Sequence, residues 1–426
     1  MQRASRMDRQ WTTLASLLVA TACFRATENM ALTTFALLAK ERVGVGSAAI
    51  GGLAAVAAGV TVAVNVGVAG RVPVSWSGLA AACGSLVVVP ALVILGQARS
   101  VMELGVGAVL LGLGGGVVFP ALTTAVGQVD PERRERMLAL FALTLSGSLA
   151  VGPLLESALL GLSHQNVRVP FFAFTILPCV GVIAIGLAWT LSGRHHVSTA
   201  APTPSILTEE GPVVRLEAPG SETAGPLRSL LSRGALGNRG WRMAITGELL
   251  YAVPFAAITV FGALLAKTSF GVSPEEAQLG FSCFFVTSLT ARAAVVWRAP
   301  IGRKLPPLLL SGLLTALGLL LLAGGNGFVL LVLAMGILGI PHGITFPIVL
   351  AQVAEASTSV SLGSANAALL AVSNSTAVLV PAVLGGLIPA TGYRGMTLLL
   401  LLPVGFFTIL LWRQRPPAGR PEARAG

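Results

Sequence analysis

The sequence predicts an all-α, polytopic membrane protein: twelve transmembrane helices in two six-helix bundles related by a pseudo-twofold axis. Three observations predict it. The first is composition: the 426 residues are 54% hydrophobic and only 11% charged, whereas about a quarter of a soluble chain is charged. Mean hydropathy is +0.83, so lipid must be the solvent for much of this surface. The second is periodicity. Twelve apolar blocks lie near 12–38, 46–69, 76–96, 101–126, 136–162, 170–192, 241–267, 274–297, 306–324, 327–353, 362–388 and 394–413. Each suits the roughly 20 residues a helix needs to cross the hydrocarbon core, not the roughly ten-residue alternating strands of a barrel.

The third is a repeat at an offset of 227 residues. Ala36-Leu37-Leu38-Ala39-Lys40 recurs as Ala263-Leu264-Leu265-Ala266-Lys267, and Gly44-Val45 as Gly271-Val272. Gly112, Gly116, Phe119 and Pro120 recur as Gly339, Gly343, Phe346 and Pro347, and Pro153 finds Pro381 after a one-residue slip. Several matches at one offset indicate duplication. Six helices per unit is even, so the halves share one orientation. The expected units are 1–192, a linker at 193–240, 241–413, and a tail at 414–426. The linker holds Pro202, Pro204, Pro212, Pro219 and Pro226 without a sustained apolar period. It is expected to be largely disordered, with an amphipathic stretch near Leu227–Leu231.

The net charge of +11 reflects topology. With the N-terminus inside, the cytoplasmic segments hold 20 of the 28 Lys and Arg, the opposite loops six, and the helices two, Arg25 and Arg292. That bias places both termini in the cytoplasm of a multi-pass inner-membrane protein and argues against a nucleic-acid partner. Cys23, Cys83, Cys179 and Cys283 sit singly in apolar blocks. They are expected to be small core residues, with no disulfide or metal site. An Ala20-Thr21-Ala22 signal-cleavage reading is set aside, because the run continues to Ala39.

Ionisable groups in hydrocarbon cost about 2.5–3.5 kcal/mol each on insertion scales, so each needs a reason. Thr21, Arg25 and Glu28, spaced four and three, form one polar stripe on the first helix, widened by Asn29. Glu28 is a candidate proton or cation site and Arg25 a candidate to tune it or hold an anion; the alternative is a structural ion pair. Glu248, with Tyr251 one turn on, is a second proton candidate; the alternative is an acid snorkelling to the interface. His342, between Pro341 and Gly343, suits proton exchange near neutrality, or else a bond to a carbonyl freed by Pro341. Glu156 is the fourth proton candidate. Arg292 is expected to snorkel or pair at a gate. Phe119 and Phe346 are candidates for a cavity wall or for plain packing. Gly112-x-x-x-Gly116 and Gly339-x-x-x-Gly343 predict close helix contacts; they lack dinucleotide spacing. No phosphate-binding loop, His-Glu-x-x-His or Gly-x-Ser-x-Gly motif occurs, so no cofactor, ATPase or other enzyme is expected.

Two six-helix halves, a long middle loop and internal termini resemble the major facilitator superfamily over nearly the whole chain. Gly112 to Phe119-Pro120, then Asp130-Pro131-Glu132-Arg133-Arg134-Glu135-Arg136, is similar to that family's fourth helix and its exit. Its loop between helices two and three is eroded to Arg71. Gly302-Arg303-Lys304 matches the motif's tail in the second half, without its acidic residue. The resemblance makes Arg71, Arg298, Arg303 and Lys304 candidates for the inner gate. It implies that helices one, four, seven and ten line a central cavity, which includes Glu248. Gly147 and Gly152-Pro153 match part of a pattern found in proton-coupled exporters, its closing Gly-Gly replaced by Glu156-Ser157. The resulting expectation is a monomeric secondary transporter exporting a small, fairly apolar organic molecule against protons. The alternatives are an uptake symporter of the same fold and a sensor that moves nothing.

Overall fold

The computed structural model describes residues 2–69, 71–130, 133–191, 238–298, 302–356 and 362–414. The expected linker and tail lie almost wholly outside these residues, as does the proposed amphipathic stretch near Leu227–Leu231. The first half contains α1 (Gln2–Leu38), α2 (Ser47–Val64), α3 (Ser77–Gln97), α4 (Val101–Val129), α5 (Arg134–Leu162) and α6 (Val169–Leu191). The second contains α7 (Arg239–Leu265), α8 (Pro274–Trp297), α9 (Leu305–Gly324) and α10 (Gly327–Ala356). A last segment, Leu362–Arg413, breaks at Gly392 (φ 69°, ψ 174°) into α11 before it and α12 after it. Only glycine takes that left-handed conformation freely.

Local chemistry sets the starts. Ser100 with Glu103, and Ser273 with Glu276, form reciprocal caps at the beginnings of α4 and α8. The outer faces are apolar and bare: Ile183, Leu313, Val329 and Leu402 are each more than 60% exposed. A water-soluble surface rarely carries so much contiguous apolar area, so these faces meet lipid. Cys83 and Cys179 lie on exposed positions and Cys23 and Cys283 are half-buried. This corrects the expectation of core cysteines: a thiol is apolar enough to face lipid. All four are unpaired.

The duplication is visible as geometry. Each first helix of a half ends in a π-helical turn, Ala39–Val43 and Ala266–Phe270. Each turn is closed by a left-handed glycine, Gly44 (φ 75°) and Gly271 (φ 68°). A Cβ on Gly112 would stand 2.5 Å from the Ala57 carbonyl oxygen, and one on Gly339 would stand 2.0 Å from that of Phe284. Gly116 and Gly343 meet the Thr61 and Ser288 carbonyls in the same way, at 2.9 and 2.2 Å. Both partners obey the 227-residue offset. The small-residue pairs therefore hold α4 on α2 and α10 on α8 at backbone contact.

The halves meet along α2–α11, α5–α8 and α1–α7. Several of their closest contacts gather at the end of the bundle where α1 finishes. There Ser47 Oγ donates to the Gly385 carbonyl at 3.0 Å, Gly51 lies against Pro381, and Lys267 pairs with Glu41. Gln278 Nε2 donates to Thr34 Oγ1 at 3.1 Å, and the Glu275 amide to Gln165 at 3.4 Å. At the opposite end the contacts tie each half to itself: Gln10 to Val129, Asn238 to Ala356, and Lys304 to Glu355.

Candidate functional site

Four helices bring charge to the middle of the bundle. On α1 the stripe forms as its spacing predicts. Arg25 and Glu28 make an ion pair, each side chain about a quarter exposed. Thr21 is buried and donates to the Leu17 carbonyl at 2.8 Å. Asn29 is buried and reaches the Leu149 carbonyl of α5 at 3.4 Å. Gly115 of α4 lies beside Glu28, and a Cβ there would make an ordinary contact with Glu28 Oε1 at 3.5 Å.

Glu248 on α7 is fully buried. The Tyr251 hydroxyl donates to its Oε1 at 3.2 Å, and Oε2 has no hydrogen-bond partner among the described residues. No cation pairs with it there, so the carboxyl is neither snorkelling nor compensated. Tyr251 presents its ring edge to His342 of α10, with 5.5 Å between centroids. His342 Nδ1 lies 2.7 Å from Ser288 Oγ of α8; the carbonyl freed by Pro341 is not its partner. Phe255, Phe284 and Phe285 pack around the imidazole at 4.5–6.3 Å. A small recess of about 20 Å³, no more than a water or so, lies beside it, lined in part by Tyr251, Phe255 and Thr315.

Arg292 on α8 points inward instead of snorkelling, and of its two expected fates the contact it makes is a pairing with the other half. Its Nη1 donates to Ser146 Oγ of α5 at 2.8 Å, and its guanidinium lies 5.7 Å from the centre of the Phe346 ring. Ser146 belongs to the other half, so this bond crosses the bundle axis. The structure thus joins Glu248, Tyr251 and His342 in one chain of contacts, sets Arg292 against Ser146 and Phe346, and pairs Arg25 with Glu28. Glu156 stands apart, fully buried between α5 and α1, where Thr33 Oγ1 lies 3.4 Å from its Oε2. Phe119 packs on Phe141 of α5, 5.9 Å between centroids.

A model of the Major Facilitator Superfamily matches residues 244–426. The match lies in the second half of the chain and likens that half to the major facilitator superfamily. Solved transporter structures of similar shape span nearly the whole chain. A variant of the nucleoside transporter NupG superposes with a TM-score of 0.71 at 15% identity, covering 95% of this chain and 100% of that one. A bacterial homolog of the human lysosomal transporter Spinster, inward-facing and unoccupied, gives 0.69 at 15%, covering 96% and 99%. A POT family transporter in complex with 5-aminolevulinic acid gives 0.71 at 13%, covering 94% and 95%. These identities establish the shared fold alone. No curated protein sequence matches the chain.

The basic residues of the loops have separate fates. Arg71 is exposed and donates to the Gly67 carbonyl at 2.5 Å. Arg298 and Arg303 are exposed. Lys304 is buried and paired with Glu355, at the end of α10 in the same half. Gly152 lies with its Cα facing the Ala26 backbone, where a Cβ would come within 3.3 Å, whereas Gly147 meets nothing within 4 Å. The sequence reading missed Ser146, Ser288, Gln278 and Glu355. Gln278 alone carried a signal, an amide inside an apolar block, and it is fully buried. The hydroxyls carried none, because Ser and Thr are routine in membrane helices, where they bond their own backbone.

Proposed function

We propose that this chain is a secondary active transporter that moves a small organic molecule by alternating access, with Glu248 as the proton carrier. The observation that carries the reading is the state of that carboxyl: fully buried, one oxygen on Tyr251, the other unpartnered, with no cation beside it. A buried carboxylate without a counter-charge is strongly disfavoured. Taking up a proton neutralises it, so protonation changes which arrangement of the halves is lower in free energy. Glu28 differs, since Arg25 already neutralises it.

Rocking of the two bundles about a midplane site is the expected motion for parallel repeats. The contacts at the far end of α1 support a state closed there. With the Lys and Arg bias giving internal termini, that end is the outer one and the chain sits in the cytoplasmic membrane as a monomer. Export is favoured by Gly147 and Gly152-Pro153; uptake and sensing are outcomes of the same experiment. The purified protein is sealed into liposomes holding a pH-sensitive dye and offered a panel of organic solutes. Solute-dependent proton movement, lost in Glu248→Gln, is expected. Solute flux that ignores the proton gradient contradicts the coupling, and binding without flux favours a sensor. The direction of accumulation in cells sorts export from uptake.

A further inference from the structure

We infer, resting on the transport reading above, that the solute carries an anionic group, a carboxylate or phosphate on a small organic body, held by Arg292 and Arg25 between the two halves. An arginine keeps its charge at any accessible pH, so one in the middle of a membrane bundle needs an anion or a polar lining. Arg292 has neither in full. Its two described contacts, the Ser146 hydroxyl and the Phe346 ring, are uncharged. Its Nε is buried and has no hydrogen-bond partner among the described residues. No carboxylate there lies within salt-bridge distance of it, since the described ion pairs are Arg25–Glu28, Lys267–Glu41 and Lys304–Glu355.

The second cation sharpens the point. Arg25 comes from the opposite half, on α1. Glu28 balances one of the two charges; Glu248 is engaged with Tyr251 instead. One uncompensated positive charge therefore remains between the two halves, on a guanidinium whose planar fork fits the two oxygens of a carboxylate or phosphate. An anion seated there compensates that charge where the halves meet, which is the differential contact a carrier requires. The Phe346 face beneath Arg292 suits an apolar or aromatic body attached to that group.

The test is thermal stabilisation of the detergent-purified full chain by benzoate, phenylacetate, hexanoate and phenyl phosphate, each against its neutral amide or alcohol, with benzylamine as the cationic arm. At least one anion is expected to raise the melting temperature while its neutral counterpart does not. Arg292→Gln should weaken that anion at least tenfold, with Arg292→Lys keeping part of the effect. A second readout needs no variant: the same anion should protect Arg292 from phenylglyoxal, followed by peptide mass. Stabilisation by benzylamine or by the neutral compounds alone, by none of the panel, or equally in Arg292→Gln overturns the inference, as does modification of Arg292 at an unchanged rate. Because binding in detergent needs no flux, an anion that binds but is not moved leaves this inference standing and sinks transport. Flux of a neutral or cationic solute does the reverse.

Discussion

Arg292 Nη1 on α8 donates a 2.8 Å hydrogen bond to Ser146 Oγ on α5, joining the two halves near the middle of the bundle. Hydrogen bonds to charged groups contribute about 1.5–3 kcal/mol, and about 1.4 kcal/mol is tenfold in an equilibrium. Ser146→Ala is therefore expected to shift the balance between inward-open and outward-open forms by about tenfold or more towards the latter. Alkylation rates of single cysteines placed at the two ends measure it. Unchanged rates would mean the bond is incidental to the state.

Two glycines with equally tight surroundings should fail differently. A Cβ on Gly51 would lie 2.1 Å from the Pro381 carbonyl oxygen, across the halves; on Gly339 it would lie 2.0 Å from that of Phe284, inside one half. Gly339→Ala should destabilise the fold, by about 1–3 kcal/mol as overpacking does, seen as a lower melting temperature. Gly51→Ala should keep the melting temperature close to that of the parent and instead open the outer seam to thiol reagents. The same loss of stability in both variants would contradict the assignment of Gly51 to a moving interface.

The Lys267–Glu41 pair bridges the halves at the rim of that seam. Exposed pairs contribute about 0.2–1 kcal/mol, so Lys267→Glu, which places like charges together, should raise outer accessibility by a few-fold. Glu41→Lys combined with it should restore the parent value. Failure of the double variant to recover would show that the pair does not hold the rim.

His342 is enclosed by aromatic rings and bonded to Ser288. The expected role is packing rather than proton carriage. His342→Gln and Ser288→Ala should each lower stability by about 1–3 kcal/mol, the penalty for a buried group left unsatisfied. Proton coupling should persist in both. Loss of coupling in His342→Gln with normal stability would return His342 to the proton path.

Much of the architecture was legible because lipid imposes a length and a periodicity that composition cannot hide. The block at 274–297 coincides with α8, and the blocks meeting near 388–394 straddle the break at Gly392. The α1 stripe was legible for the same reason, since a 3.6-residue turn puts Arg25 and Glu28 on one face. Boundaries failed where amphipathic turns extend a span: α1 begins at Gln2, well before the apolar run, and α10 continues to Ala356. Partnerships across the bundle were not legible. Nothing local in the sequence ties Arg292 to Ser146, His342 to Ser288 or Lys304 to Glu355, because packing of distant helices decides each. Arg292 shows the consequence: its position near the end of a helix suggested an escape to the interface, and a hydroxyl on the other half draws it inward.

The most direct test of rocking halves is a pair of spin-label distances in a chain whose four cysteines have been replaced. Labels at Arg42 and Thr268 span the outer ends of α1 and α7, and labels at Gln128 and Ala354 span the inner ends of α4 and α10. In lipid nanodiscs, moving from alkaline to acidic medium should change the two distance distributions in opposite senses, one pair separating as the other closes, with the coupling lost in Glu248→Gln. Distances that stay fixed at both ends, or that lengthen together, would contradict alternating access.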